Sequence, residues 1–126
     1  MSGAYHKVLI VEDEEGLRGI IARNLLARGH QVTEADCVAE ALNRLDSERP
    51  DLMLLDINLP DRTGWEVLRH MKEEDNHVPV VIVSAVRVSP GHLAEFRPLA
   101  YLPKPFPLES LIRIVGGEEA ANEVTG

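Results

Sequence analysis

Five polar side chains stand behind apolar runs: Glu12 and Asp13 after Val8 to Val11, Asp56 after Leu52 to Leu55, Ser84 after Val80 to Val83, and Lys104 after Ala100 to Leu102 and Pro103. Three carboxylates held close repel one another, so at neutral pH they share a proton or bind a cation. Oxygen-only ligands suit a hard ion. Mg²⁺ takes one or two carboxylates, keeps several waters and leaves room for phosphate oxygens, which fits this set better than a closed Ca²⁺ cage. A cation beside Lys104 forms a positive nook for a phosphoryl group, and an Asp carboxylate can attack phosphorus. Asp56 is then the attacking group, with Lys104 balancing charge and Ser84 donating a hydrogen bond. Each residue singly has an ordinary use: Asp56 can satisfy backbone donors in the loop after it, Lys104 can form a simple ion pair, and Ser84 can end a strand.

The surrounding elements decide whether these residues meet. The runs before Glu12, Asp56 and Ser84 are continuously apolar, as in strands covered on both faces of a parallel sheet. Gln31 to Ala35 reads as a partly polar edge strand, and Ala100 to Leu102 as a short last strand. Between them lie amphipathic helical patterns: Leu17, Ile20, Ile21 and Leu25; Val38, Ala41, Leu42 and Leu45; Gly64, Val67, Leu68 and Met71; and Leu108, Leu111, Ile112 and Val115. Gly29 supplies a left-handed cap to the first, and Trp65 is read as packing at the start of the third. Pro90, Gly91 and Pro98 leave space for only a short helix around His92 to Phe96. This alternation implies right-handed crossovers and an α/β fold, a doubly wound five-stranded parallel sheet with helices on both faces. The carboxyl ends of its strands share one edge, where open α/β sheets hold their ligands.

Composition bounds the rest. At 126 residues, with 44% apolar and 27% charged, the chain is one globular domain that needs no metal or disulfide staple. A net charge of -8 argues against direct contact with nucleic acid, since phosphate backbones attract basic faces. Cys37 is the only cysteine, which fits a reducing interior. No signal peptide is expected from the first residues, and the longest apolar stretch, Val78 to Val86, falls short of the roughly 20 residues of a membrane span, so a cytoplasmic location is expected. Gly16 and Gly19 are not a nucleotide fingerprint, because acids occupy the turn directly after the first strand. His6, His30, His70, His77 and His92 lack the spacing of zinc ligands and read as solvated surface residues.

With Val-Glu-Asp-Glu at 11 to 14, Asp56 backed by Pro60 and Gly64, Ser84-Ala85, and Tyr-Leu-Pro-Lys-Pro-Phe at 101 to 106, the chain resembles the receiver domains of bacterial two-component response regulators from Lys7 to about Gly116. The resemblance implies a receiver domain over 5–117, a polar tail or linker over 118–126, and a flavodoxin-like strand order 2-1-3-4-5. It implies Asp56 as phosphoacceptor, with Asp13, Asp56 and the Asn58 carbonyl as direct Mg²⁺ ligands and Glu12 acting through water. Ser84 and Tyr101 are then a switch pair, and the Lys104-Pro105 bond is cis. The expected partners are a histidine kinase or phosphotransfer protein and an output protein or domain.

Two departures stand out. The interval from Ser84 to Lys104 is shorter than the family's, and Arg97-Pro98 replaces a Gly-Ala before the last strand, so the fourth helix is expected to be short, shifted or partly unwound. Leu99-Ala100 also replaces the acidic pair that precedes the tyrosine in many DNA-binding regulators. A phosphate-independent binding module acting through this altered face is the alternative reading. A hydrolytic phosphatase is a third, but Asn58 stands two residues after the nucleophile where such enzymes place an Asp, so the domain is expected to be no enzyme beyond slow loss of its own phosphoryl group.

Overall fold

The computed structural model describes residues 4–118. Of the tail expected at 118–126, all but Glu118 lies outside the described residues. Five strands, β1 (Lys7–Val11), β2 (Gln31–Ala35), β3 (Leu52–Asp56), β4 (Val80–Ser84) and β5 (Ala100–Pro103), alternate with five helices, α1 (Glu15–Ala27), α2 (Val38–Glu48), α3 (Trp65–Glu73), α4 (Pro90–Phe96) and α5 (Leu108–Val115). The strands form one parallel sheet in the order β2-β1-β3-β4-β5. This is the expected doubly wound α/β fold.

Alternation along each strand builds two cores, since successive side chains point to opposite faces. Leu9, Val11, Met53, Leu55, Val80 and Ile82 pack with Val38, Ala41, Val67, Leu68 and Met71 of α2 and α3. Val8, Ile10, Leu52, Leu54, Val81 and Val83 pack on the other face with Ile21 and Leu25 of α1 and Leu111, Ile114 and Val115 of α5. Fully burying one such side chain contributes about 1.5–3 kcal/mol, so β1, β3 and β4 form a stiff floor for whatever their ends carry.

Two helical faces differ from expectation. Ile20 is 42% exposed, and Ala22 is buried in its place, because the α1 stripe that faces the sheet runs through Ile21, Ala22 and Leu25. In α5 Ile114 is buried, while Ile112 lies on the flank, half-buried. α4 is one short segment of seven residues with no buried side chain. It is started by the Ser89 hydroxyl, which accepts from the His92 N–H at 3.2 Å, and ends at Arg97 with a left-handed φ of 47°.

Candidate functional site

The register of the sheet brings the polar residues level. Val11 pairs with Leu55, so the next residues along, Glu12 and Asp56, end their strands side by side. Ser84 pairs with Pro103, and the Lys104 N–H donates to the Ser84 carbonyl at 2.9 Å, which fixes the start of the Lys104 side chain beside β4. The Lys104-Pro105 bond is cis.

From there the Lys104 ammonium reaches back over β4 to donate to Glu12 Oε1 at 2.7 Å and to Asp56 Oδ2 at 3.0 Å. Glu12, Asp56 and Ser84 are all buried, whereas Asp13 is exposed. One carboxylate oxygen from each of Glu12, Asp13 and Asp56 lies within 4.8 Å of the others. Remaining lone pairs are used locally: Glu12 Oε2 accepts from the Glu14 N–H at 3.0 Å, and Asp56 Oδ1 from the Asn58 N–H at 3.1 Å. The ordinary use of Asp56 as a loop acceptor therefore occupies one of its oxygens.

Burial pushes the Glu12 carboxyl above its ordinary range, against the opposing pull of the Lys104 ammonium and the Glu14 N–H. For Lys104 burial acts downward, but the hydrogen bonds it donates to Glu12 and Asp56, with their negative charge, outweigh it and hold the ammonium above its ordinary value. One cation thus serves two buried anions, with a third at the rim. An acidic oxygen set of this kind, open to water on the Asp13 side, fits a hard divalent ion.

The loop from Ile57 to Gly64 carries the site's fourth side and is closed on itself. The Gly64 N–H donates to the Ile57 carbonyl at 2.7 Å, and Asn58 and Thr63 form an isolated antiparallel bridge. Gly64 is required by space: a Cβ there would lie 2.7 Å from the Asp56 carbonyl oxygen and 3.0 Å from Ile57 Cα. Across the sheet edge the Ser84 hydroxyl accepts from the Val86 N–H at 3.2 Å, and the half-buried Tyr101 ring sends its hydroxyl toward the Val86 carbonyl at a long 3.5 Å.

Sequence reasoning passed over three contributors. Arg18 of α1 donates from Nη1 to the Glu12 carbonyl at 2.8 Å and from Nε to Glu34 at 2.8 Å, bracing the end of β1 against β2. Asp61, in the loop after β3, accepts from the first backbone N–H groups of α2. His92, read as solvated, stacks on Trp65 with ring centroids 4.0 Å apart.

The response regulator receiver domain family matches residues 8–116. The chain belongs to that family. The receiver domain is 33% identical over 108 residues to the response regulator MprA of Mycobacterium avium strain 104, covering 84% of this chain and 47% of the relative. It thus spans about half the length of such relatives. Among solved structures it is similar to the chemotaxis protein CheY4 of Vibrio cholerae (TM-score 0.78, 26% identity, 89% of this chain and 97% of the other). It is also similar to the response regulator TrrA of Thermotoga maritima, solved in complex with Mg²⁺-BeF (TM-score 0.76, 25% identity, 87% of this chain and 96% of the other). The receiver domain is a signalling domain of a two-component system. None of its described helices is long and apolar enough to cross a membrane.

Proposed function

We propose that the receiver domain accepts a phosphoryl group on Asp56 in a Mg²⁺-dependent reaction, and that this modification switches a partner-binding face. The observation that carries the proposal is the buried Asp56 carboxylate at the end of the central strand, 3.0 Å from the Lys104 ammonium and clustered with Glu12 and Asp13. Asp13, Asp56 and the Asn58 carbonyl are the direct Mg²⁺ ligands in this reading, with Glu12 acting through water. The Thermotoga maritima relative, solved in complex with Mg²⁺-BeF, supports a Mg²⁺ role at such a site. When bound, the ion neutralises charge on the oxygens of the transferring group.

The donor is a histidine kinase or phosphotransfer protein. An Asp56 oxygen forms a bond to phosphorus while the bond from phosphorus to the donor's histidine nitrogen breaks. The electron pair stays on the imidazole, which takes a proton from solvent. Lys104 turns from its carboxylates toward the new phosphoryl oxygens, and Ser84 gives up the Val86 N–H to donate to one of them. Tyr101 follows that loop inward, which reshapes the face made by α4, β5 and α5 for an output protein or domain. A bias of a few kcal/mol between the two states is sufficient. Asn58 offers no acid or base to an attacking water, so loss of the phosphoryl group is slow.

The test is intact mass after incubation with Mg²⁺ and acetyl phosphate, for the wild type, for Asp56→Asn and without metal. Gain of one phosphoryl group is expected only in the wild type given both Mg²⁺ and acetyl phosphate. A folded wild type that gains none overturns the proposal and leaves phosphate-independent binding through the α4, β5 and α5 face as the function to pursue.

A further inference from the structure

The first turn of α2 lacks a cap of its own. Its N-cap residue, Cys37, has extended backbone angles but makes no side-chain hydrogen bond to the helix. The cap comes from another part of the chain. Asp61, at the apex of the loop that follows Asp56, accepts from the Val38 N–H through Oδ1 at 2.8 Å and from the Ala39 N–H through Oδ2 at 3.0 Å. Oδ1 also accepts from the Arg62 N–H at 2.9 Å. The Val38 N–H above all, with those of Ala39 and Arg62, holds the Asp61 carboxyl below its ordinary value.

These bonds close a ring. From Asp61 the chain runs back through the compact loop to Asn58 and Asp56, Asp56 binds Lys104, and Lys104 binds Glu12. The Glu12 N–H donates to the Ala35 carbonyl at 3.0 Å, and Ala35 is separated from the start of α2 only by Asp36 and Cys37. The sheet already sets the two acidic strand ends level; what Asp61 adds is a tie from the loop carrying the Asn58 carbonyl to amides 23 and 22 residues away at the start of α2.

We infer that Asp61 is a positioning residue of the receiver site: by fastening the Asp56–Gly64 loop to the N-terminus of α2, it sets the distance between the Asn58 carbonyl and the acids at the end of β1. The inference rests on the Mg²⁺ reading of the site. Without Asp61 the loop keeps its own closure through Ile57 and Gly64 but loses its fixed position relative to Glu12 and Asp13. Cation affinity falls while every proposed ligand is still present.

The experiment is calorimetric titration of Mg²⁺ alone into the wild type, Asp61→Ala, Asp61→Asn and the double variant Asp61→Ala/Cys37→Ser, with a thermal melt of each. In Asp61→Ala the Mg²⁺ dissociation constant is expected to rise about tenfold, the lower end of what losing an outer-shell partner does. Asn, which retains one acceptor oxygen and is a good N-cap, recovers much of the affinity. Serine at position 37 caps α2 locally without holding the loop, so the double variant regains the melting temperature but not the affinity. It also supplies a folded test if Asp61→Ala does not fold. Wild-type Mg²⁺ affinity in Asp61→Ala, or recovery of both quantities in the double variant, makes Asp61 a helix cap and nothing more. A wild type that binds no Mg²⁺ overturns the Mg²⁺ reading, and this inference with it.

Discussion

Lys104 Nζ donates to Asp56 Oδ2 across 3.0 Å although the two residues are 48 positions apart and their strands are separated by β4. The same ammonium serves Glu12, whose side chain is 1% exposed, against 5% for Asp56. Removing one partner from a buried ion pair is more damaging than removing the whole pair, because a desolvated charge is left uncompensated. Lys104→Met is therefore expected to lose about 3 kcal/mol of stability, read from urea midpoints. Added Mg²⁺ should return part of that loss by mass action, since a bound cation takes over the neutralisation. The raised folded-state value of Lys104 means that its contribution is complete below the ordinary value of 10.5 and fades only as pH climbs through the folded value. A loss under about 1 kcal/mol would place the pair among solvated surface bridges.

Gly64 tests how tightly the loop is fitted to the end of β3. Its φ of -62° is open to any residue, so the demand is steric alone. The obstacles are the backbone atoms Asp56 O and Ile57 Cα, which cannot swing aside as a side-chain tip can. Gly64→Ala is expected to cost about 1–3 kcal/mol, the usual range for forced overpacking, even though Ala is the better helix former. Because relief requires the Asp56 backbone to shift, phosphoryl uptake measured by mass should slow in parallel. A variant as stable and as reactive as the wild type would mean that the loop yields freely.

Asp61 makes the acid limb of the stability profile informative. Its folded-state pKa is depressed below 3.8, so the stabilisation is present above that value and disappears as pH falls through the folded one. The melting temperatures of wild type and Asp61→Ala are thus expected to differ at pH 6 and to converge as the pH is lowered below 3.8. A gap that stays constant into that range would assign the effect to packing instead of charge.

Much of this was legible because the relevant forces are local or periodic. Continuous apolar runs marked β1, β3 and β4, and a polar residue behind each run marked the site edge, since in a parallel sheet strand ends gather together. Helical periodicity was less exact. It placed Ile20 and Ile112 in the core, where the structure has Ala22 and Ile114, because neighbouring apolar residues on a 3.6-residue turn compete for a stripe that only packing selects. The Asp61 cap was invisible for another reason: an N-cap is sought next to its helix, and this one comes from a distant loop. The stacking of His92 on Trp65 likewise depends on how α3 and α4 lie together, which no spacing within either helix encodes.

The same α3–α4 contact governs the last prediction. α4 has seven residues and buries none of them fully; Leu93 and Phe96 lean on the core, Lys72 of α3 reaches Glu95, and the Ser89 cap and the aromatic ladder of Trp65, His92 and Phe96, with Trp65 to Phe96 at 5.8 Å, complete its attachment. Few buried apolar contacts and a length of about two turns place an element at the low end of local stability. Its amides are expected to exchange with solvent faster than those of the other described helices. Ser89→Ala should accelerate them by about fivefold, since the lost cap corresponds to about 1 kcal/mol. Trp65→Ala should do so by removing the ring on which His92 stacks, while leaving the Ser89 bond to the His92 N–H in place. If α4 exchanges as slowly as α3 and neither change affects it, the helix is held by contacts other than these two. If both act, α4 is the element whose position a small rearrangement at Ser84 can shift most easily, because it has the least packing to overcome.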